Sequence, residues 1–390
     1  MPDSVSDLNS NHPENNPPKV RSLRELLDQV TGKTANPVSY DGDSGIAEGL
    51  HFPFLALVGE NEMKLALLLS VINPAILGVL LIGPRGTGKT TAARSLQGIL
   101  PQVEKSTCYY GCLPEDIESG GMDAVCPDCA KKYGLGLPLT QADQVRFVEL
   151  PLNARMEDVV GGLDERNQVA DRTRIKRGIL SLADRNILYI DEVNLLSPEV
   201  ANSTLDASAQ GAFTVHRGAV YATYNARFTL IGSMNPEEGN LHPQILDRFG
   251  LRVMVKGLLD PKERYQAYQR ALAFKQNPRS FIQQYAEATA LARQEILNAR
   301  KLLPQVILPE RVAQAGIFLV QQLGIDTLRA ELNLFEAARA YAASDNHCEV
   351  TPGDLRAVAP MVLRLRHSNF IKDYFSKQDN EDQQILSILS

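Results

Sequence analysis

Nothing in this 390-residue chain approaches the run of ~20 apolar residues that a membrane-spanning helix requires. The amino-terminal stretch MPDSVSDLNSNHPENNPP lacks the charged-then-apolar pattern of a secretory leader. Basic charge is not in excess either. Lys and Arg number 40 against 46 Asp and Glu, a net charge of −6, so electrostatics make no case for a nucleic-acid partner. A membrane protein and a nucleic-acid binder are both disfavoured, and a cytoplasmic protein is expected.

Cysteine is scarce but not scattered. Of five cysteines, Cys108, Cys112, Cys126 and Cys129 follow the spacing C-x3-C-x13-C-x2-C, and Cys348 stands alone. In a reducing compartment clustered thiols bind metal more often than they pair as disulfides. Four thiolates suit tetrahedral Zn2+. An iron–sulfur cluster, a redox switch and unligated thiols are the alternatives.

What the chain does have is a core and a phosphate loop. Its 390 residues suggest two or three packed units, and 44% hydrophobic residues can build a core. Gly83-Pro84-Arg85-Gly86-Thr87-Gly88-Lys89-Thr90-Thr91 satisfies G-x-x-x-x-G-K-[ST]. An apolar run, Gly78 to Ile82, precedes it, and a helix-compatible run, Thr91 to Leu100, follows. In that context the glycines let backbone N–H groups close around phosphates, with the helix N-terminus adding its dipole. Lys89 is expected on the β- and γ-phosphates of ATP, and Thr90 on the accompanying Mg2+.

A second motif follows downstream. Asn186-Ile-Leu-Tyr-Ile-Asp191-Glu192 is an apolar strand ending in two acids. Asp191 is expected to organise Mg2+, and Glu192 to polarise the attacking water. The strand Phe228 to Gly232 runs on to Asn235, whose amide could touch the γ-phosphate or simply shape a turn. Arg248, in Leu-Asp-Arg-Phe-Gly, suits a residue reaching a neighbouring subunit's nucleotide; an ion pair with Asp247 or its neighbours is the plain alternative.

Strands at Val145–Leu150, Phe228–Gly232 and Leu251–Val255, with helices between, imply an α/β fold with a mostly parallel sheet flanked by helices. Ligands of such sheets sit at the carboxyl ends of strands, where both motifs fall. Beyond Asp260 the pattern is helical: Pro261–Phe274, Ser280–Lys301, Pro309–Leu323, Leu328–Ala343 and Leu355–Arg366, the last started by Thr351-Pro-Gly-Asp354. Three regions result. Residues 1–50 form a largely disordered extension with one short helix at Arg21–Val30. Residues 51–259 form a nucleotide-binding domain with a cysteine-bearing insert at 106–140. Residues 260–390 form an all-helical lid.

The order of phosphate loop, Asp-Glu strand, Asn-bearing strand end and Asp-Arg-Phe resembles the P-loop AAA+ ATPases. FPFLALVGENEMKLALLLSVINP, GVLLIGPRGTGKTT, ILYIDEVNLL, ARFTLIGSMNPEEGNLHPQILDRFGL and TLRAEL resemble the magnesium-chelatase ATPase subunit family, from about His51 to Pro360. The resemblance implies a homo-oligomeric ring, a hexamer, with ATP between neighbours. It also implies a second AAA+ subunit and a large porphyrin-binding subunit as partners, and ATP-driven insertion of Mg2+ into protoporphyrin IX for chlorophyll and bacteriochlorophyll. By motif, Asn235 is the first sensor, Arg248 the trans arginine finger and Arg329 the second sensor; Arg227 matches a family arginine of unassigned role. Three surfaces depart from the family: the cysteine quartet, Arg174-Ile-Lys-Arg-Gly178 and Gly211–Tyr224. The charge run Arg172–Arg177 reads as a solvated face, or alternatively a pore or partner surface. A related ATPase serving cobalt insertion or MoxR-type remodelling, and a nucleotide-gated scaffold, are the competing functions.

Overall fold

A computed structural model of the chain describes residues 50–108, 110–163, 175–217, 220–239 and 241–366. The expected extension with its helix at Arg21–Val30, and residues 172–174 of the charge run, lie outside the described residues.

Five strands form the central sheet: β1 Val79–Ile82, β2 Phe147–Leu150, β3 Ile187–Ile190, β4 Thr229–Met234 and β5 Leu251–Met254. Their spatial order is β5-β1-β4-β3-β2, and every pairing is parallel. Val-Leu-Leu-Ile in β1 and Ile-Leu-Tyr-Ile in β3 are buried throughout, as a parallel sheet covered on both faces demands. Successive residues serve opposite faces. Val79, Leu81, Ile187, Tyr189, Ile231 and Val253 enter one apolar cluster; Leu80, Ile82, Leu188, Ile190 and Leu230 enter another. Each such side chain contributes about 1.5–3 kcal/mol on burial.

On the first face lies helix α1, Asn61–Ile72, burying Met63, Ala66 and Leu67. The phosphate loop leads into α2, Lys89–Ser95, which tightens to a 3-10 turn at Leu96–Ile99, so the expected helix of Thr91–Leu100 ends early. On the second face α3, Pro198–Gln210, begins with Pro198 and with Ser197 Oγ accepting from the Val200 N–H. It ends at Gly211, whose φ of 67° is the left-handed conformation that suits glycine. A short helix, α4 Pro243–Arg248, precedes β5.

The carboxyl-terminal helices are α5 Pro261–Gln276, α6 Pro278–Gln284, α7 Ala286–Leu302, α8 Glu310–Gln322, α9 Leu328–Ser344 and α10 Pro352–Leu363. Thr351 and Asp354 form the expected capping box of α10. The single helix expected over Ser280–Lys301 is two. Tyr285, at φ −102° and ψ 3°, breaks the turn. Phe281 packs into an aromatic cluster with Phe52, Phe274 and Tyr285, ring centroids 5.5, 5.9 and 5.3 Å away, and that cluster sets α6 on its own axis. Ile296 of α7, Val312 of α8 and Leu334, Ala337 and Ala338 of α9 share the apolar cluster of α1 and the sheet, so the helical part is anchored to the first face.

Among the described residues, three antiparallel strand pairs decorate the core: Val103–Ser106 with Thr140–Asp143, Gly161–Leu163 with Ile175–Arg177, and Ala212–Arg217 with Val220–Asn225. The first brackets the cysteine insert and its two short helices, Pro114–Gly120 and Pro127–Gly134. Arg177 does not end the charge run as a free solvated residue, because its guanidinium donates to Ser181 Oγ at 2.8 Å and to the Ser181 carbonyl at 3.2 Å.

Candidate functional site

The parallel sheet delivers the carboxyl ends of β1, β3 and β4 to one edge, and each carries polar residues. From β1 the chain enters Gly83–Gly88. A Cβ on Gly83 would lie 2.0 Å from the Val255 carbonyl oxygen, so only glycine lets the loop cross the end of β5. Gly86 and Gly88 have φ of 78° and 85°, and a Cβ on either would meet nothing within 4 Å. Their constraint is conformational, and they leave an open hollow in front of the start of α2. Lys89 is buried at 8% exposure, its ammonium donating to the Gly83 carbonyl at 2.7 Å and the Pro84 carbonyl at 2.8 Å. Burial lowers its pKa, while Asp191, Glu192 and Glu238 pull the other way. Thr87 Oγ1 closes the loop onto the Pro84 carbonyl at 3.0 Å, and Thr91 is exposed on the first turn of α2.

A chain of hydroxyls joins this loop to the acids. Thr90 Oγ1 lies 2.8 Å from Tyr189 Oη, which donates to Asp191 Oδ1 at 3.0 Å. Ser233 Oγ donates to the same Asp191 oxygen and accepts from the Glu192 N–H at 3.2 Å. The register explains it. Ile190 pairs with Gly232 across β3 and β4, so the next residues, Asp191 and Ser233, come together. Burial foremost raises the Tyr189 phenol above its ordinary range, so it stays a neutral donor at physiological pH. Glu192 adopts φ 50° and ψ 56°, a conformation rare for a residue with a side chain and concentrated at functional sites. Its carboxylate takes Arg85 Nη2 at 3.0 Å; the same guanidinium also pairs with Glu238. Asn235 is buried, and its Oδ1 accepts from the Glu237 N–H at 3.2 Å, capping the turn Pro236–Glu238.

This arrangement has the donors and acceptors for a triphosphate with a divalent cation: an open glycine turn, an ammonium bonded to the first carbonyls of the loop, and Thr90 beside Asp191 through Tyr189. The residues therefore fit ATP and Mg2+. Residues 77–234 match the family model for an AAA domain, and residues 319–388 the model for an AAA lid domain. The magnesium-chelatase 38 kDa subunit of Acidiphilium rubrum is 41% identical over 317 residues, covering 81% of this chain and 90% of the relative. The magnesium-chelatase subunit ChlI homolog of Methanocaldococcus jannaschii is 38% identical over 334 residues, covering 85% and 90%. The chain belongs to the magnesium-chelatase ChlI subunit family. A candidate ATPase of Cytophaga hutchinsonii, 18% identical, aligns over 79% of this chain and 83% of its own with a TM-score of 0.52, in keeping with the fold.

The arginines that the resemblance singles out in this ChlI-family chain are placed differently from the loop residues. Arg248, at the end of α4, pairs with Asp206 and donates to the Asn202 carbonyl at 3.3 Å. Arg329, in the first turn of α9, meets Asp247 Oδ2 at 3.0 Å. Asp247 Oδ1 also takes Arg366 at 2.7 Å, with Arg252 at 3.9 Å. Burial foremost lowers both of these last two, Arg252 down to about 9. Asp247 thus ties α9 to the stretch before β5, and the Asp247–Arg248 pair considered from sequence gives way to these partners. Arg227 has a structural task. It takes Glu115 at 3.4 Å and Asp116 at 3.2 Å, holding the cysteine insert to the core.

The quartet itself converges. The Sγ atoms of Cys108, Cys112, Cys126 and Cys129 all lie within 4.8 Å of one another, and none is in a disulfide. The hydrogen bond between Cys108 and Cys112 lowers the pKa of the first and raises that of the second. Sequence reasoning missed Tyr189, Ser233 and Glu238. The first two had a signal: a hydroxyl inside an otherwise apolar strand that ends at an acid or an amide.

Proposed function

We propose that the chain is the ATPase motor of a magnesium chelatase, coupling ATP hydrolysis to insertion of Mg2+ into protoporphyrin IX. The observation that carries this is the meeting of the phosphate loop with Asp191 and Glu192 in a chain 41% identical, over most of its length, to a magnesium-chelatase subunit. Residues 83–91 cradle the phosphates. Lys89 takes the β- and γ-oxygens, Thr90 and Asp191 hold the nucleotide's Mg2+, and Glu192 polarises water. Asn235 senses the γ-phosphate. Arg248 acts on the neighbouring subunit's ATP in a homo-oligomeric ring, and Arg329 reports from the lid. Residues 51–259 form the nucleotide-binding domain, and the helical lid follows from residue 260. A second AAA+ subunit and a large porphyrin-binding subunit complete a cytoplasmic enzyme; porphyrin chemistry belongs to them.

The test is Mg-protoporphyrin fluorescence in a reconstituted chelatase lacking only its ATPase subunit. Adding this chain with ATP and Mg2+ is expected to produce signal. Glu192→Gln is expected to give none, and Arg248→Ala to bind ATP while hydrolysing it poorly in the assembled state. No product from a preparation shown to hydrolyse ATP would assign the motor to another client, such as cobalt insertion or MoxR-type remodelling.

A further inference from the structure

The insert between β1 and β2 is too small to hold itself together by apolar burial. Its own buried cluster is Cys112, Ile117, Cys129 and Leu139, with Cys108, Tyr110, Val125 and Cys126 packed against it. Small modules with so little core depend on a cross-link or a metal. The four sulfurs supply the means. Tetrahedral coordination with Zn–S bonds of about 2.3 Å places ligand sulfurs about 3.8 Å apart. Cys108 Sγ and Cys126 Sγ are 3.9 Å apart, and the whole set lies within 4.8 Å. That packing fits one metal ion. A cluster of several irons, with its cysteines on different irons, needs sulfurs farther apart. Two sulfurs already accept backbone N–H bonds, Cys108 from Tyr110 at 3.1 Å and Cys112 from Cys126 at 3.3 Å. Such bonds orient ligands and offset the negative charge of bound thiolates.

The insert is also docked at a defined place. Its helix Pro114–Gly120 runs between Cys112 and Cys126. Glu115 takes Arg185 at 2.9 Å and Arg227 at 3.4 Å, while Asp116 takes Arg227 at 3.2 Å and Asn225 at 3.3 Å. Arg185 stands just before β3 and Arg227 just before β4, at the ends opposite Asp191 and Ser233. Tyr110 stacks on Tyr224 of the hairpin Ala212–Asn225, with ring centroids 6.4 Å apart.

We propose that Cys108, Cys112, Cys126 and Cys129 bind one Zn2+ as a tetrathiolate, and that this ion fastens the insert to the entry ends of β3 and β4 and to the Ala212–Asn225 hairpin. Binding exchanges four thiol protons for one Zn2+, with no change of oxidation state. The ion is a structural clip, remote along the strands from the nucleotide.

The full-length chain, purified under reducing conditions without chelator, is expected to carry one zinc per chain by elemental mass spectrometry. Cys112→Ser and Cys129→Ser should each lose it. Replacement with Co2+ should give the visible bands of tetrahedral cobalt thiolate in the wild type, a readout that does not depend on the variants folding. Removing zinc from the wild type with a chelator should speed hydrogen exchange in Ala212–Asn225 by about tenfold or more, because a local brace is lost. Fluorescent-ATP binding should stay within about twofold. No metal retained after zinc addition and dialysis, bound iron, or disulfides in the reduced preparation would each overturn the zinc site. Unchanged exchange in the hairpin would overturn the fastening role.

Discussion

The nucleotide cradle and the cysteine insert both gather polar groups, by opposite means. The cradle takes Lys89, Asp191, Ser233 and Glu238 from segments far apart in the chain, and parallel register brings them to one edge. Its polar groups rest on strands buried on both faces, so their positions are set by the core. The insert draws its four sulfurs from one short stretch, with little apolar burial of its own, and borrows rigidity from Arg185 and Arg227. A site built on the sheet should therefore lose function without losing structure when one polar group is removed. A site built on the insert should lose structure without losing nucleotide chemistry.

Lys89→Ala breaks the comparison if it fails. The ammonium is the only side-chain cation bonded to loop carbonyls among the described residues, holding both Gly83 and Pro84. Its loss is expected to weaken ATP binding by about 100-fold or more, since truncating a buried charge that pairs with phosphate costs several kcal/mol. Calorimetric titration checks it, and binding at the wild-type level would remove the phosphate loop from its assigned role. The unfolding midpoint without nucleotide should barely move.

Asp116→Ala makes the complementary cut. Asp116 accepts from the Leu113 N–H at 2.9 Å, capping its helix, and from Asn225 and Arg227 across the seam. Removing it should cost about 1–2 kcal/mol in urea unfolding, the scale of one cap plus a partly exposed ion pair. ATP affinity should stay within about twofold. A large loss of affinity with no loss of stability would erase the distinction between the two regions.

The two regions also differ in how plainly the sequence shows them. The phosphate loop is legible because its glycines and lysine sit at fixed spacing in one segment, and Asp191-Glu192 because an apolar strand ends there. Tyr189 and Ser233 are not, because their meeting with Thr90 and Asp191 depends on which strands are neighbours and in what register. The quartet could be read from its spacing. Its docking could not, since Arg185 and Arg227 belong to other segments and meet Glu115 and Asp116 only after the sheet forms. The same limit affects the helix expected over Ser280–Lys301. Its apolar period is continuous, while in the fold the helix breaks at Tyr285 and Phe281 packs against Phe52 and Phe274.

Arg85 gives the smallest and sharpest test, because it belongs to the cradle yet resembles a surface group. Its side chain is 71% exposed, while its partners Glu192 and Glu238 are 21% and 19% exposed. Solvent screening limits what so exposed a guanidinium can contribute. If it only restrains the Glu192 carboxylate, Arg85→Ala should free that group, and basal hydrolysis should hold or rise by no more than about fivefold. Steady-state phosphate release measures this directly. A fall of about 100-fold instead, the scale of a lost contact to transferring phosphate, would mean that Arg85 leaves Glu192 for the nucleotide. The division between a rigid cradle and an exposed rim would then be wrong at the residue where the two meet.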